Sequence, residues 1–223
     1  MFTIRINSNV QMTAFWMMAH ILQRPTFTAA VTEEISPIME ATESITGSAG
    51  PVLAEATQNH LIESCPLLNS AFHEVLRVCS TGSTVREVMR PVQVGNKAIR
   101  KGAKVLLPQR QLLLSREGFG PNAREVDLSR FSRDKSLERN AYYRPFGGGT
   151  TLCSGRFLGK REVLAFVALA LWRYEIQPVK VGEETVGVKG MPFPRLDERK
   201  PSLGISKQVE GDDLIVKVTN RRT

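Results

Sequence analysis

Apolar residues recur at helical spacing over much of this chain. Pro66 is well placed for the first turn of one such segment, because proline needs no partner for its missing N–H there. From Val163 to Trp172 every residue is apolar, a pattern that predicts a helix buried on all sides. The helical pattern covers five segments: residues 2–24, 26–46, 52–62, 66–79 and the apolar run itself.

Strand character is confined to shorter stretches. Residues 85–107 have the composition of strands, and Gly95-Asn96 supplies a turn between two of them. Gly211-Asp212-Asp213 predicts a hairpin turn between Ile205 and residues 214–218, and residues 111–140 form a long polar connection. The chain is therefore predicted to be mainly α with a small antiparallel β portion.

Composition narrows the class of protein. The 223 residues, 42% of them hydrophobic and 23% charged, are typical of one globular domain. The net charge of +8 comes from scattered lysines and arginines without a dense basic run, which favours an acidic protein partner or a membrane surface over nucleic acid. Three cysteines provide no disulfide framework, so a reducing, intracellular compartment is expected. Neither a signal peptide nor an apolar run of about 18 residues is visible.

The stretch from Tyr143 to Trp172 carries the candidate chemistry. Three consecutive glycines, Gly147 to Gly149, permit positive φ and close approach of the backbone to a flat ligand. Cys153 follows at the start of the apolar helix, where unpaired N–H groups and the helix dipole favour a thiolate.

Several uses of that sulfur do not fit the sequence. A phosphate-binding P-loop would need Gly-Lys-Ser/Thr, a phosphatase loop would need arginine where Gly159 stands, and zinc would need a second nearby Cys or His. An open sulfur lined by backbone suits haem iron, which takes an axial thiolate. A structural cysteine in a tight loop is the alternative.

The order Phe146, Gly149, Cys153, Gly155 and Arg156 resembles the signature F-x-x-G-x-x-x-C-x-G of the cytochrome P450 family. The resemblance implies haem b, iron protoporphyrin IX, with Cys153 as the metal ligand through an axial thiolate. It further implies that Phe146 shields the sulfur, and that Gly149 and Gly155 let the backbone approach the ring.

A second motif lies on the helix predicted over 66–79. Glu74 and Arg77 are three residues apart and share a helix face, so they can pair; a pair at the surface is one interpretation. Apolar neighbours favour a buried pair, which needs further donors. By the resemblance, Arg130 supplies them, and the three residues form the family's structural triad. A zinc-protease motif is excluded, because Arg77 stands where its second histidine is needed.

Two further residues gain roles only from the resemblance. Arg86 falls where the family often places an arginine against a haem propionate, although an exposed strand arginine is the alternative. Thr151 departs from the Arg or His usual at the other propionate position. Asn9-Val10 occupies the place of the acid–threonine pair on the helix that crosses the distal face of the haem, so Asn9 is the candidate catalytic residue; a helix-start cap is the alternative.

The resemblance covers nearly the whole chain but only the C-terminal half of the family's fold. It implies a partial domain over 1–223, with a distal-helix remnant (2–24), the Glu-x-x-Arg helix (66–79), the β region (85–107), the haem loop and proximal helix (143–175) and C-terminal strands (176–223). The sequence is therefore expected to be a truncated gene product, a fragment or an incomplete gene model.

The implied function is that of a haem-thiolate monooxygenase, which inserts one oxygen atom from O₂ into a hydrophobic organic substrate. Its electrons would come from an NADPH-dependent flavoprotein reductase. The family also implies the endoplasmic reticulum membrane, although no anchor is visible in this chain. Two alternatives stay open: an oxygen-independent isomerase or dehydratase, suggested by Asn9, and a non-catalytic haem-binding remnant or interaction module.

Overall fold

Helices make up most of the chain in the computed structural model, which describes residues 3–46, 55–179, 193–199, 202 and 204–221. The prediction of a mainly α protein with a small antiparallel β portion is confirmed. The helices are α1 (Thr3–Leu22), α2 (Pro25–Thr46), α3 (Glu55–Ser64), α4 (Pro66–Cys79), α5 (Gln109–Leu113), α6 (Arg116–Phe119), α7 (Arg130–Arg133) and α8 (Arg156–Arg173).

Helix α4 lies at the centre of the main hydrophobic core, between α1, α7 and α8. It starts at Pro66, as predicted, and its N-cap Cys65 makes no side-chain capping bond. Glu34 of α2 provides the cap instead, accepting hydrogen bonds from the backbone N–H groups of Leu67 at 2.8 Å and Leu68 at 3.0 Å. Burial raises the pKa of the Glu34 carboxyl. The first turn of the helix that carries the Glu-x-x-Arg motif is thus capped by a side chain of another helix, α2.

Helix α8 is buried on one side only. Val163, Val167 and Leu171 are buried against the main core, but the side chain of Phe166 is 54% exposed and that of Phe157 is 67% exposed. The prediction that this helix is buried on all sides was wrong: α1, α2, α3 and α4 pack against it, but they leave Phe166, within the apolar run, exposed. Among the described residues, no helix has the length and apolar character needed to cross a membrane.

The strands form three antiparallel pairs among the described residues. Strand β1 (Ser83–Glu87) pairs with β4 (Lys104–Pro108), and β2 (Val92–Val94) pairs with β3 (Lys97–Ile99) around the predicted turn, where Gly95 has φ of +60°. Strand β5 (Tyr174–Pro178) pairs with β6 (Val216–Asn220).

The predicted hairpin between Ile205 and residues 214–218 was wrong. Gly211 does turn the chain, with φ of +86°, but Ile205 bridges to Ser80 instead, and β6 pairs with β5. The turn at Gly211 was therefore predicted correctly, but the pairing partner of the strand that follows the turn was not.

The connection predicted as a long polar loop contains short helices. Helices α5, α6 and α7 and a 3₁₀ helix (Lys135–Arg139) follow one another along it. They enclose a second small core, which the sequence pattern does not indicate. Its buried residues are Leu113, Phe119, Ala123, Phe131 and Tyr143.

Candidate functional site

A cavity of about 770 Å³ lies where α1, α4, the glycine-rich loop and the start of α8 meet. Cys153, Phe146 and Gly147 line it from the loop, Phe72 and Leu76 from α4, and Asn9 with its neighbours from α1. Its volume falls within the range of about 300–1,000 Å³ found for ligand and cofactor sites.

The loop turns through two left-handed glycines, of which Gly147 lines the cavity and Gly149 does not. Gly147 has φ of +77° and Gly149 has φ of +67°, conformations that residues with a Cβ rarely adopt. The backbone N–H of Cys153 donates to the carbonyl of Phe146 at 3.1 Å, which closes the loop and leaves the cysteine side chain exposed at the cavity wall.

The sulfur lies just before the helix rather than on it. Helix α8 begins at Arg156 with Gly155 as its N-cap, so Cys153 stands two residues ahead of the cap. Arg156 donates from Nη1 to the carbonyl of Cys153 at 2.9 Å and thereby ties the loop to the helix. At Gly155 an added Cβ would lie 4.0 Å from the cysteine sulfur, an ordinary contact, so no described neighbour requires glycine there.

Glu74, Arg77 and Arg130 lie together in the interior. Arg77 donates from Nε and Nη2 to the two carboxylate oxygens of Glu74, at 2.8 and 2.7 Å, and neither side chain is exposed. Arg130 approaches the same carboxylate, with Nε 3.3 Å from Oε2. The backbone N–H of Asp127 completes the set at 2.9 Å from Oε1.

Both arginines of this cluster also hold backbone carbonyls of the polar connection. Arg77 donates to the carbonyls of Leu113, Ala123 and Glu125, and Arg130 donates to that of Phe119. The two buried guanidinium groups therefore have hydrogen-bond acceptors in one carboxylate and several carbonyls. A buried ion pair requires such additional acceptors. None of the three side chains lines the cavity, which favours a positioning role over a reactive one.

Arg86 and Thr151 are brought together at the cavity edge from positions 65 residues apart. The guanidinium of Arg86, on β1, donates to the hydroxyl of Thr151, and both side chains are exposed. Thr151 lines the cavity. A carboxylate entering this edge would meet one cation and one hydroxyl.

Asn9 lies inside α1 and faces the cavity, so the interpretation of Asn9 as a helix-start cap is excluded. Its side-chain Oδ1 accepts a hydrogen bond from the backbone N–H of Ile205 at 3.1 Å. Its backbone carbonyl accepts from the hydroxyl of Thr13 at 2.7 Å. The amide is thus anchored by a segment far away in sequence.

The sequence reasoning missed two groups of residues. Gly204 and Ile205 line the cavity beside Asn9, and no motif in their surroundings indicates this. A largely buried network also joins α4 to Tyr143, ahead of the glycine-rich loop, and to α8: His73 Nδ1 lies 2.8 Å from the Tyr143 hydroxyl, and Lys160 Nζ lies 3.3 Å from His73 Nε2.

Burial sets the charge state of that network. It lowers the pKa of His73 to about 3, with a further contribution from Lys160, and it lowers the pKa of Lys160 itself. Burial also raises the pKa of Tyr143 well above its ordinary value. The ring of His73 is therefore neutral at physiological pH. In the sequence, only the position of His73 directly before Glu74 could have indicated that it belongs to such a network.

The residues around the cavity fit a haem. A flat group can lie against a loop whose left-handed glycines bring backbone to the surface, one exposed sulfur is available as a ligand, and Arg86 can pair with a carboxylate. In the described part of the chain, no three His, Cys, Asp or Glu side chains gather as a metal site, so a many-ligand centre such as structural zinc finds no support there.

Comparison with known proteins agrees with this geometry. The family model for cytochrome P450 matches residues 8–191. The chain is 29% identical to a cytochrome P450 monooxygenase of Gibberella zeae, over 77% of the chain and 34% of that protein. It is 26% identical to cytochrome P450 7A1 of Oryctolagus cuniculus, over 89% of the chain and 40% of that protein.

A shorter match has higher identity. The (21S)-21-acetyl-1-hydroxy-apo-melianone synthase CYP88A164 of Melia azedarach is 36% identical over 48% of the chain. The chain spans about a third to two fifths of the length of the first relatives it matches. Since the family model covers most of its residues, the chain belongs to the cytochrome P450 family.

Proposed function

We propose that this chain is the haem-binding part of a haem-thiolate monooxygenase, with Cys153 as the axial ligand. The observation that carries the proposal is the exposed Cys153 side chain on a loop with two left-handed glycines, at the wall of a cavity of about 770 Å³. Bound there, haem would supply the activation of O₂, so that one oxygen atom enters a hydrophobic substrate and the other leaves as water.

The protein's own residues would hold and orient that group. The hydrogen bond from Cys153 N–H to the Phe146 carbonyl fixes the turn that presents the sulfur, and the ring of Phe146, which lines the same cavity, would screen it from water. The left-handed backbone at Gly149 would let the loop approach the haem, and Gly155 would leave the space beside the sulfur open. Arg86 would pair with a propionate, sharing it with the Thr151 hydroxyl.

The structural triad would act on this site indirectly. Glu74, Arg77 and Arg130 fasten α4 to the connection that leads into the loop, and so they would keep the sulfur in place without touching the reaction. The partial domain would divide as the resemblance implies, into the segments 2–24, 66–79, 85–107, 143–175 and 176–223. Residues 180–192 within the last segment lie outside the described residues.

A second candidate is an oxygen-independent isomerase or dehydratase on the same scaffold. Asn9 in the cavity wall favours it, because a side-chain amide donates hydrogen bonds but no acidic proton. Turnover of a peroxide substrate without reductase would favour this reaction. Strict dependence on NADPH and reductase would exclude it.

The partners follow from the monooxygenase. They are a hydrophobic small molecule and an NADPH-dependent flavoprotein reductase, which would meet a chain of net charge +8 through its own acidic surface. By resemblance we place the working protein at the endoplasmic reticulum membrane. Nucleic acid is not among the expected partners.

The reduced, carbon-monoxide difference spectrum of the purified chain, with haem supplied, tests the proposal. We expect the band characteristic of a thiolate ligand, and we expect Cys153→Ser to abolish it. Cys65→Ala is the matched control, since it removes a buried thiol that does not line the cavity, and it should keep the band.

A band that survives in Cys153→Ser would refute ligation by this sulfur. Failure of the chain to retain any haem would instead support the third interpretation, a non-catalytic remnant or interaction module.

A further inference from the structure

The side-chain amide of Asn9 lies flat against Gly204 at the cavity wall. A Cβ built on Gly204 would stand 2.6 Å from Oδ1, 2.9 Å from Cγ and 2.9 Å from Nδ2 of Asn9. All three amide atoms are closer than a real Cβ tolerates, and φ of Gly204 is not left-handed. A side chain at position 204 would therefore have to displace the Asn9 amide, so glycine allows the amide to lie here, whereas the backbone conformation does not demand glycine.

The backbone beneath the amide is held firmly. The carbonyl of Gly204 accepts from the N–H of Thr81 at 3.0 Å, and the N–H of Ser206 donates to the carbonyl of Cys79 at 3.0 Å. The indole N–H of Trp16 donates to the carbonyl of Ser206 at 2.7 Å. Because residues 204–206 are fastened to both α4 and α1, an added methyl group at Gly204 would displace the Asn9 amide and not the backbone.

The hydrogen bond from Ile205 also fixes which end of the amide faces which way. Oδ1 accepts the Ile205 N–H at 3.1 Å, so the NH₂ group occupies the other position. Among the described residues, that NH₂ group donates no hydrogen bond, and Asn9 is an exposed residue that lines the cavity. The nearby hydroxyl of Thr13 is already used as a donor to the Asn9 carbonyl.

We propose that Gly204 and the Ile205 N–H form a clamp that fixes Asn9 as a hydrogen-bond donor into the cavity. The clamp would select, among hydrophobic ligands, those that carry an acceptor oxygen such as a carbonyl. Gly204 is then a positioning residue and Asn9 the residue that meets the ligand. The inference rests on the proposed function for the identity of the site, and it adds a chemical class of substrate.

The test compares two molecules of the same shape, 2-adamantanone and 2-methylideneadamantane, which differ by an oxygen in place of a CH₂ group. Dissociation constants are measured calorimetrically for the full chain, with and without haem supplied. We expect the native chain to bind the ketone about tenfold more tightly, the size of one net hydrogen bond. A ratio of one in both forms of the native chain would overturn the proposal.

Variants separate the clamp from the donor. Gly204→Ala should lose the preference, because the amide is displaced. Asn9→Asp should lose it as well, because it keeps the acceptor for Ile205 but has no N–H. Gly159→Ala is the matched control: it adds a methyl group to the same cavity, in ordinary contact at 3.4 Å with Val10 Cγ2 and not with Asn9, and it should keep the preference.

The rate of hydrogen exchange at the Ile205 backbone amide, measured by NMR without haem, reports on the hydrogen bond to Asn9 independently of any ligand. We expect protection in the native chain, Asn9→Asp and Gly159→Ala, and faster exchange in Gly204→Ala. Exchange in Gly204→Ala at the native rate, or a ketone preference retained in Gly204→Ala, would overturn the clamp.

The proposed function can fail separately. A missing thiolate band in the carbon-monoxide spectrum, together with a ketone preference that depends on Asn9 and Gly204, would reject haem ligation and leave the clamp standing.

Discussion

Replacing Glu74 by glutamine should destabilise the fold strongly although the side chain keeps its shape. Oε1 of Glu74 accepts from Arg77 Nη2 and from the backbone N–H of Asp127, while Oε2 accepts from Arg77 Nε and lies 3.3 Å from Arg130 Nε. Whichever oxygen becomes an NH₂ group, at least two N–H donors then face another donor. Arg77, which has no exposed surface, also keeps its charge without an anion.

The size of the effect follows from burial. Breaking a fully buried ion pair by removing one partner costs about 3–5 kcal/mol. Native domains are stable by only about 5–15 kcal/mol, so Glu74→Gln should remove roughly a fifth or more of the total. The carbonyls of Leu113, Ala123 and Glu125 still accept from Arg77 in the variant. We therefore expect the loss of unfolding free energy to lie near the lower value, about 3 kcal/mol.

A surface pair in the same region provides the control. Arg133 donates to the carboxylate of Asp127, but the Arg133 side chain is 62% exposed. Solvent screening limits such a pair to under about 1 kcal/mol, so Arg133→Gln should barely change the unfolding free energy.

Urea unfolding followed by far-ultraviolet circular dichroism measures both variants against the native chain. Equal unfolding free energies for Glu74→Gln and Arg133→Gln would refute the assignment of Glu74 as a buried structural anion. If the triad only positions the loop, Glu74→Gln should lower the amount of haem bound while leaving the position of the thiolate band unchanged.

Two further predictions concern stability. Burial lowers the pKa of His20 and of His73 to about 3 each, with Arg24 and Lys160 contributing, so the native state keeps both rings neutral. The unfolded chain takes up their protons below about pH 6.5, so stability should be full above that pH and fall by about 1.4 kcal/mol per pH unit for each ring as pH drops toward 3. His20→Phe should remove one ring's share of this slope in urea midpoints measured across that range, and an unchanged slope would contradict the burial argument. Glu34→Ala removes the cap of α4 and should cost about 1 kcal/mol in the same assay, and no loss would mean that water replaces the cap.

Local chemistry explains what could be predicted from the sequence. Helix α4 begins and ends where its proline start and apolar spacing place it, at Pro66 and Cys79. The glycine-rich loop and Cys153 were recognised because glycines, sulfur and helix start lie within a few residues of one another. The turn at Gly95 was found for the same reason, since a two-residue turn is encoded by its own residues.

Pairing between distant segments could not be predicted in the same way. Strand β6 forms its backbone hydrogen bonds with β5, which lies about forty residues earlier in the chain. Nothing in the turn at Gly211 specifies that partner. Gly204 gives no local signal either, because its requirement for glycine comes from a side chain 195 positions away in sequence order, on α1. Similarly, the apolar run in α8 indicates that the helix can be buried, but not which side its neighbours cover.

The site depends on α4 more than its own loop motif suggests. The first turn of α4 is capped by Glu34. Its last turn carries Arg77, which holds the connection before the loop, and Cys79, whose carbonyl accepts from the segment that anchors Asn9. The cysteine loop and the Asn9 clamp are therefore both supported by the last turn of the same helix. A change that loosens α4 should disturb both together, whereas a change within the loop should leave the clamp intact. The haem signature alone is then insufficient to build the cavity, because Phe72 and Leu76 of α4 and Asn9 of α1 form other parts of its wall.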